Sequence, residues 1–554
     1  MKNIKYKAII SGILLTAVFV SCEKVFDNRI DTDLREDQVY KNYGRVTNLA
    51  YNVYNYIPDG YNSIDGAYIA GATDDAEHTW DDSKIRLFNE GSWSEYVNPD
   101  NNWIRMYEGI RAANLFLEQS KKIDDFLVAD TFTPTDKVTY EKRVADVGFL
   151  RAEVKFLRAF FHFELAKRYG GVPIVTKKLE LDEGLNIPRS SFDETVQFIV
   201  SECDSIKDKV LPFFKFFDNT KEGRVTIGTV LALKSRVLLY AASPLHNTAG
   251  DLQKWQMAAE AANEVIGMGL YALDGSYRDL FLPPKSYAGP EVIWSKRYGE
   301  SNFIEKANYP IGTDGGQSGT CPSQNLVNAY EKLEGWNSQN PYENRDPRLS
   351  ATIVVNNSEW NGRTIELWKG GRDGITGGID GASKTGYYLK KFLVDNLDLS
   401  QGQTARHSWI LFRYAEVLLN YAEAVNEGYD FNSTPEGFSM TAMEALNMIR
   451  SRVSMPDVDA STKEELRELI RQERRIELAF EGHRFWDVRR WKIADEKLNE
   501  PLLKMNITKV NDSTFNYTEE ILEERFFSEK MYLYPIPQDE LIKYEGKLGQ
   551  NPGW

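Results

Sequence analysis

Two stretches of this chain concentrate side chains that can do chemistry. The first holds Asp74, Asp75, Glu77, His78, Trp80, Asp81 and Asp82, with Trp93, Tyr96 and Trp103 close behind. Paired carboxylates are the working parts of a glycosidase, but that chemistry needs two acids roughly 5 to 10 Å apart across a sugar. Neighbours on one polar loop do not establish such a gap. What the stretch does supply is flat rings beside carboxylates. A ring covers the apolar C–H face of a sugar, while a carboxylate or amide fixes its hydroxyl rim. Trp80 and Trp93 sit in segments too polar for a core helix, whereas Trp103 belongs to a helical stripe and reads as structural. Farther along, Trp294 and Tyr298 alternate on one face of a strand candidate, Val292 to Tyr298. Trp336, Tyr342, Trp360 and Trp368 fall in Asn- and Gly-rich loops. The expected ligand contacts are Trp80 with Asp81, Trp336 with Asn337 beside it, and Tyr298, followed by Asp74, Asp75 and Trp93. The competing reading is that such aromatics anchor loops to a scaffold.

The second stretch, Arg471 to Trp491, carries Glu473, Arg474, Glu477, Glu481, His483, Asp487 and Arg490. It reads as a helix with charge where a core should be apolar. Ser461 or Thr462, three residues before Glu464 or Glu465, forms a capping box. Leu469, Glu473, Ile476 and Phe480 then follow at helical spacing, and Gly482 is read as the stop. A buried carboxylate is tolerated only when paired, and arginines lie within one turn. The reading is a buried ionic network that braces the scaffold, with His483 as a hydrogen-bonded core histidine.

Other chemistries fail on spacing. The 5 histidines are scattered singly, with no metal-ligand pattern. Gly378 to Thr385 departs from a phosphate loop because Ser383 stands at a required glycine, and no hydrophobic strand precedes it. Gly316 to Thr320 does not complete a serine-hydrolase elbow. Cys203 and Cys321 allow one disulfide or two unrelated buried thiols, and the second reading is preferred. No cofactor and no metal are expected. The net charge is −15, with no long basic run to relieve it, so nucleic acid is a poor partner.

Periodicity supplies the elements that must position these residues. Helical stripes run through Trp103 to Leu117, Val147 to Leu165, Val230 to Tyr240, Trp255 to Ile266, Leu411 to Val425 and Met443 to Ile449. They come in pairs joined by short turns, with bulky residues on one member and small ones on the other. From Gly269 to His407 the composition shifts to Gly, Asn, Ser, Asp and aromatics, a loop-rich insertion of the kind that carries binding surfaces. The expected fold is mainly α: a tetratricopeptide-like helix-pair scaffold with a loop-rich, short-strand insertion. The proline-rich tail from Tyr532 should pack as an extended cover.

The N-terminus reads as an export signal. Lys2, Lys5 and Lys7 precede an apolar run, Ala8 to Val20, too short for the roughly 20 residues that span a bilayer. It ends at Phe19, Val20, Ser21 and Cys22, similar to the bacterial lipobox, in which the signal is cut before a cysteine that then carries lipid. Phe19 departs from the usual Leu. The signal peptide is therefore 1–21 and the acylated residue Cys22. The competing reading is an ordinary signal with an accidental cysteine.

Several motifs in order, Arg345 to Leu349, Leu411 to Glu427, Arg471 to Trp491, and the tail from Tyr532 to Trp554, resemble the RagB/SusD family of outer-membrane binding lipoproteins. The resemblance spans essentially all of the chain after Cys22. It implies a SusD-like α-fold, with an N-terminal region over 22–235 packed as one unit with a C-terminal region over 260–554. It also implies a surface lipoprotein that captures oligosaccharides without chemistry and sits as a lid on a SusC-like TonB-dependent transporter. The RagB branch captures peptides, so the ligand class does not follow from the fold. The rival class is a lipid-anchored glycan-degrading enzyme, and a third is a lid whose own ligand site has degenerated.

Overall fold

The computed structural model describes residue 39 and residues 42–122, 137–184, 186–213, 222–375 and 381–554. The leader 1–21, Cys22 and the start of the Gly378 to Thr385 loop lie outside the described residues. The chain divides into two compact units, one of residues 1–49 and 119–147 and the other of residues 50–118 and 148–554. In the first, the Tyr43 hydroxyl donates to Asp146 Oδ2 at 2.7 Å, and the Arg143 guanidinium lies 5.2 Å from the Tyr43 ring.

The second unit contains the candidate chemistry. Its long helices are α1 (Trp103–Gln119), α2 (Lys137–Tyr169, which begins in the first unit), α3 (Phe192–Ile206), α4 (Ile227–Ala242), α5 (Leu252–Gly267), α6 (Tyr414–Gly428), α7 (Ala442–Arg452), α8 (Lys463–Glu477) and α9 (His483–Arg490). The fold is mainly helical. Helix starts follow the local chemistry: Ser191 and Glu194 close a capping box on α3, and Thr441 and Glu444 close one on α7. Helices α4, α5 and α6 pack in succession, and α6 also meets α7 and α8. Buried Ala258, Ala259, Ala261 and Ala262 let α5 approach closely.

The strands are short antiparallel pairs: β1 (Ala76–His78) with β3 (Thr320–Pro322), β2 (Val292–Ser301) with β4 (Ala405–Arg413), and the hairpin β5 (Leu502–Lys509) with β6 (Phe515–Glu523). Leu411 belongs to β4, which runs directly into α6, so the helix expected from Leu411 starts at Tyr414. Cys203 and Cys321 are both buried and free.

The charged segment is buried as an ionic network. Thr462 caps α8, accepting from the Glu465 amide at 3.1 Å. Glu477, fully buried, accepts from Arg348 at 3.0 Å, Arg413 at 2.6 Å and Arg452 at 2.5 Å. Glu473 is bonded to Arg348 and, at 3.2 Å, to Arg450. Two details differ from the sequence reading. Leu466 and Ile470, rather than Leu469, face the core. Helix α8 already stops at Glu477, and Gly482, at φ +83°, caps the start of α9 instead of ending α8.

Candidate functional site

The site is organised by the turn from Pro58 to Gly66. Asp65 and Gly66 both have positive φ, +49° and +87°, and connect a tight hairpin in which Ile64 and Ala67 exchange backbone bonds at 3.1 and 2.9 Å. Asn62 is also left-handed, at φ +46°. Non-glycine residues in this region store strain that surrounding contacts must hold, and such residues cluster at functional sites. Under the turn, Tyr61 is clamped by the rings of Tyr298, Trp409, Phe392 and His407, at centroid distances from 5.0 to 5.9 Å. Its hydroxyl donates to the Ser408 carbonyl at 2.9 Å.

A cleft of about 330 Å³ opens beside this cluster, lined by Asp59, Asn62, Tyr298, Phe303, Ile304 and His407 among others. Phe303 is 56% exposed, and Tyr298 is half-buried. The Tyr298 hydroxyl donates to Asp59 Oδ1 at 3.2 Å. Burial alone would raise the Asp59 carboxyl, but bonded Lys296 and nearby Arg105 hold it below the usual carboxylate range. Burial pushes the Tyr298 phenol up, so it remains a neutral donor. His407 Nε2 lies 2.9 Å from Glu305 Oε1. Its Nδ1 has no partner among the described residues, and neither has the Asn62 Nδ2 donor. Both side chains are buried at the cleft wall. The arrangement offers aromatic faces, an ionised acceptor and unmet polar groups, which is what a polyhydroxylated ring needs.

Trp80 abuts the same turn. Its indole lies on Gly66, where a Cβ would be 2.6 Å from Cζ3, and its Nε1 donates to the Gln317 carbonyl at 2.9 Å. It is half-buried and meets the His78 ring edge-on at 4.8 Å. Asp81 projects outward, with 80% of its side chain exposed, and bonds Lys384 at 2.5 Å. Lys384 lowers the Asp81 carboxyl.

Two sequence comparisons and the solved structures decide the family. The SusD family profile matches residues 290–554, and the profile described as starch-binding associating with outer membrane matches residues 27–236. The chain belongs to the SusD-like family. The SusD-like protein P38 of Formosa agariphila is 26% identical over 528 residues, 90% of this chain and 93% of its own. A SusD-like protein of Bacteroides fragilis superposes with a TM-score of 0.77 at 28% identity, covering 95% of this chain and 99% of that one. A SusD-like carbohydrate-binding protein of the same organism superposes at 0.74 with 24% identity, over 91% and 99% of the two chains, which shows the shared fold.

On this SusD-like scaffold none of Trp93, Asp74, Asp75 and Trp336 lines the Tyr298 cleft. Trp93 is 2% exposed and packs between Tyr534 and Trp554 at 5.1 and 4.6 Å, so it anchors the chain's end. Asp74 and Asp75 are buried. Arg484 grips Asp74 at 2.8 and 2.9 Å, and Arg475 donates to Asp75 at 2.8 Å. Burial would raise the Asp74 carboxyl, but the two arginines hold it far below its ordinary value. Trp294 does not share the face of Tyr298: bulges in β2 turn it into the core, where its Nε1 donates to the Gly223 carbonyl at 3.0 Å. Trp336 stands on a separate turn. It is half-buried, with Lys332 Nζ 3.9 Å from its ring centroid and its Nε1 donating to the Pro341 carbonyl at 3.2 Å. Sequence reading missed Asp59, Asn62, Phe303 and His407. The Asp65-Gly66 pair was a legible turn signal, but nothing local tied it to β2 and β4.

Proposed function

We propose that this protein is a cell-surface lipoprotein that captures oligosaccharides and delivers them to a SusC-like TonB-dependent transporter. The observation that carries the reading is the Tyr298 and Phe303 cleft, where a half-buried and an exposed aromatic ring adjoin the unmet Asn62 amide and the ionised Asp59. Trp80 with Asp81 extends the binding surface from the same turn, and Trp336 with Lys332 provides a further contact. The fold is shared with a carbohydrate-binding relative, and one matching profile describes starch-binding associating with the outer membrane. Anchoring is through acylated Cys22. Capture needs no bond to form or break: several weak stacking contacts add to a useful affinity, and the transporter's partner system supplies the energy for uptake.

A glycan and peptide array on the purified chain tests the ligand class. The reading expects glycan binding that is lost in Tyr298→Ala with Phe303→Ala. Binding confined to peptides would move the protein to the RagB-like role. Hydrolysis of a chromogenic glycoside, abolished by one Asp or Glu substitution, would replace capture by catalysis.

A further inference from the structure

A second cavity, of about 150 Å³, shares Asp59 and Ser63 with the Tyr298 cleft and is walled by α2, α4 and the start of α9. Its acceptors are already used. Glu164 takes Lys167 on one oxygen and Arg168 on the other, both at 2.7 Å. Asp100 takes Arg168 Nε at 2.8 Å and Asn102 Nδ2 at 2.6 Å. Both oxygens of Glu481 accept from Arg413 at 2.7 Å. Asp59 is held by Lys296 and Arg105.

The donors are not used up. Arg168 commits Nε and Nη1 and leaves Nη2 without a hydrogen-bond partner among the described residues. Arg236 commits Nε and Nη2 to Glu416 and the Leu411 carbonyl and leaves Nη1. These two residues are 5% and 8% exposed, and both line the cavity. Lys167 gives one of its three N–H groups to Glu164. His483 adds a fourth donor. Its Nδ1 lies 3.3 Å from Arg474 Nη2, and a guanidinium only donates, so Nδ1 accepts. Burial and the cations Arg236, Arg474, Arg413 and Lys167 hold the ring well below its ordinary pKa, hence neutral. A neutral ring that accepts at Nδ1 carries its proton on Nε2, which has no hydrogen-bond partner among the described residues. The first turn of α9 opens at the same wall with no side-chain cap, adding the positive end of its dipole.

We infer that this cavity binds the oxyanion of a small acid: a carboxylate such as that of a uronic acid, or a sulfate or phosphate group. Four leftover donors face a space whose carboxylates are all committed, and an oxyanion supplies the missing acceptors. Sites for whole small molecules run to roughly 300–1,000 Å³, so this one takes a charged group rather than an entire sugar. The inference goes beyond neutral-ring capture at Tyr298 and stands whether or not that cleft takes a glycan.

The test uses the full chain with sulfate, acetate, D-glucuronate and, as the neutral counterpart, D-glucose, by calorimetry at constant ionic strength. A selenate soak of crystals, read by anomalous scattering, locates the anion. The expected result is a selenium peak that places selenate oxygens within hydrogen-bond distance of Arg236 Nη1, Lys167 Nζ or His483 Nε2. Saturable binding of at least one anion should weaken at least tenfold in Lys167→Met and in His483→Phe. Preference for sulfate assigns the site to a sulfate or phosphate group, and preference for acetate and glucuronate to a carboxylate; either supports the inference. No peak in the cavity together with no saturable binding of any of the anions, or glucose binding there as well as the anions, overturns it. If one variant fails to fold, the other and the soak on unaltered protein still decide. Loss of glycan binding in Tyr298→Ala with anion binding intact separates this inference from the proposed function.

Discussion

Gly60 lies so close to the Trp409 indole that a Cβ placed on it would fall 1.9 Å from Cε2. Any side chain there must push the indole, and Trp409 is one of the rings that hold Tyr61 under the binding turn. Gly60→Ala is therefore expected to destabilise the protein by about 1–3 kcal/mol through overpacking and to weaken ligand capture at Tyr298. Gly148, exposed in helix α2 with nothing within 4 Å of its Cβ position, is the control. Gly148→Ala should stabilise by roughly 0.5–1 kcal/mol, the helix-interior penalty of glycine. Urea midpoints of the two variants decide; equal effects of the same sign would count against the steric argument.

Glu477 predicts an acid limit to stability. Burial would raise its carboxyl, but Arg452, Arg413 and Arg348 outweigh that and hold it well below the ordinary range. A folded-state value below the unfolded one, about 4.3 for glutamate, gives stability that is complete above that pH. It is lost as pH falls through the folded-state value. Glu164, held at about 2 by Lys167 and Arg168 against burial, belongs to the same class and marks how far the loss extends. Glu477→Gln should cost about 3–5 kcal/mol at pH 7, because it leaves buried guanidiniums unpaired. The gap from the unaltered protein should narrow progressively as pH falls below about 4, because the unfolded glutamate protonates there while the folded one stays ionised. Urea unfolding at pH 7, 5 and 3 checks this, and a gap that is constant with pH would refute it.

The scaffold was more legible than the site. The Val230 to Tyr240 and Trp255 to Ile266 stripes mark helices because a buried face leaves a 3.6-residue period in the sequence. The spacing of Glu473 announced a carboxylate in the core. Leu411 was placed on the helix because a short apolar run fits a strand as well as a helix. The β5 and β6 hairpin was passed over, although Met505 and Ile507 alternate inward ahead of the Asn511 to Ser513 turn. Asp74 and Asp75 looked like loop carboxylates because their partners are remote: Arg484 is 410 residues from Asp74 and Arg475 is 400 from Asp75. The Tyr298 cleft needs three separate segments to meet, Asp59 to Ser63, Tyr298 to Ile304 and His407, and no local pattern records that meeting.

The difference between Trp80 and Trp93 can be read in two measurements. Trp80 keeps part of its ring open above Gly66, so Trp80→Ala should lower glycan affinity by about 0.5–1.5 kcal/mol, roughly two- to twelvefold. Its effect on the unfolding midpoint should be small. Trp93 is enclosed by Phe88, Tyr534 and Trp554, and Trp93→Ala should cost about 3–5 kcal/mol of stability. Affinity of the folded fraction should change little. An unchanged array profile in Trp80→Ala combined with Trp336→Ala would favour a lid whose own ligand site has degenerated.

The anchor gives the last prediction. Among the described residues no helix is long and apolar enough to cross a membrane, so the membrane attachment proposed here rests on acyl chains at Cys22. Each buried methylene contributes roughly 0.8 kcal/mol, and a single myristoyl-length chain holds only reversibly, so durable attachment needs more than one chain. Cys22→Ser should abolish incorporation of labelled palmitate and move the protein from the membrane fraction to the soluble one. Glycan affinity should be unchanged, because the substitution leaves every residue lining the Tyr298 cleft as it is. Persistence of the serine variant in the membrane fraction, with no label incorporated by the unaltered protein, would exclude Cys22 as the anchor.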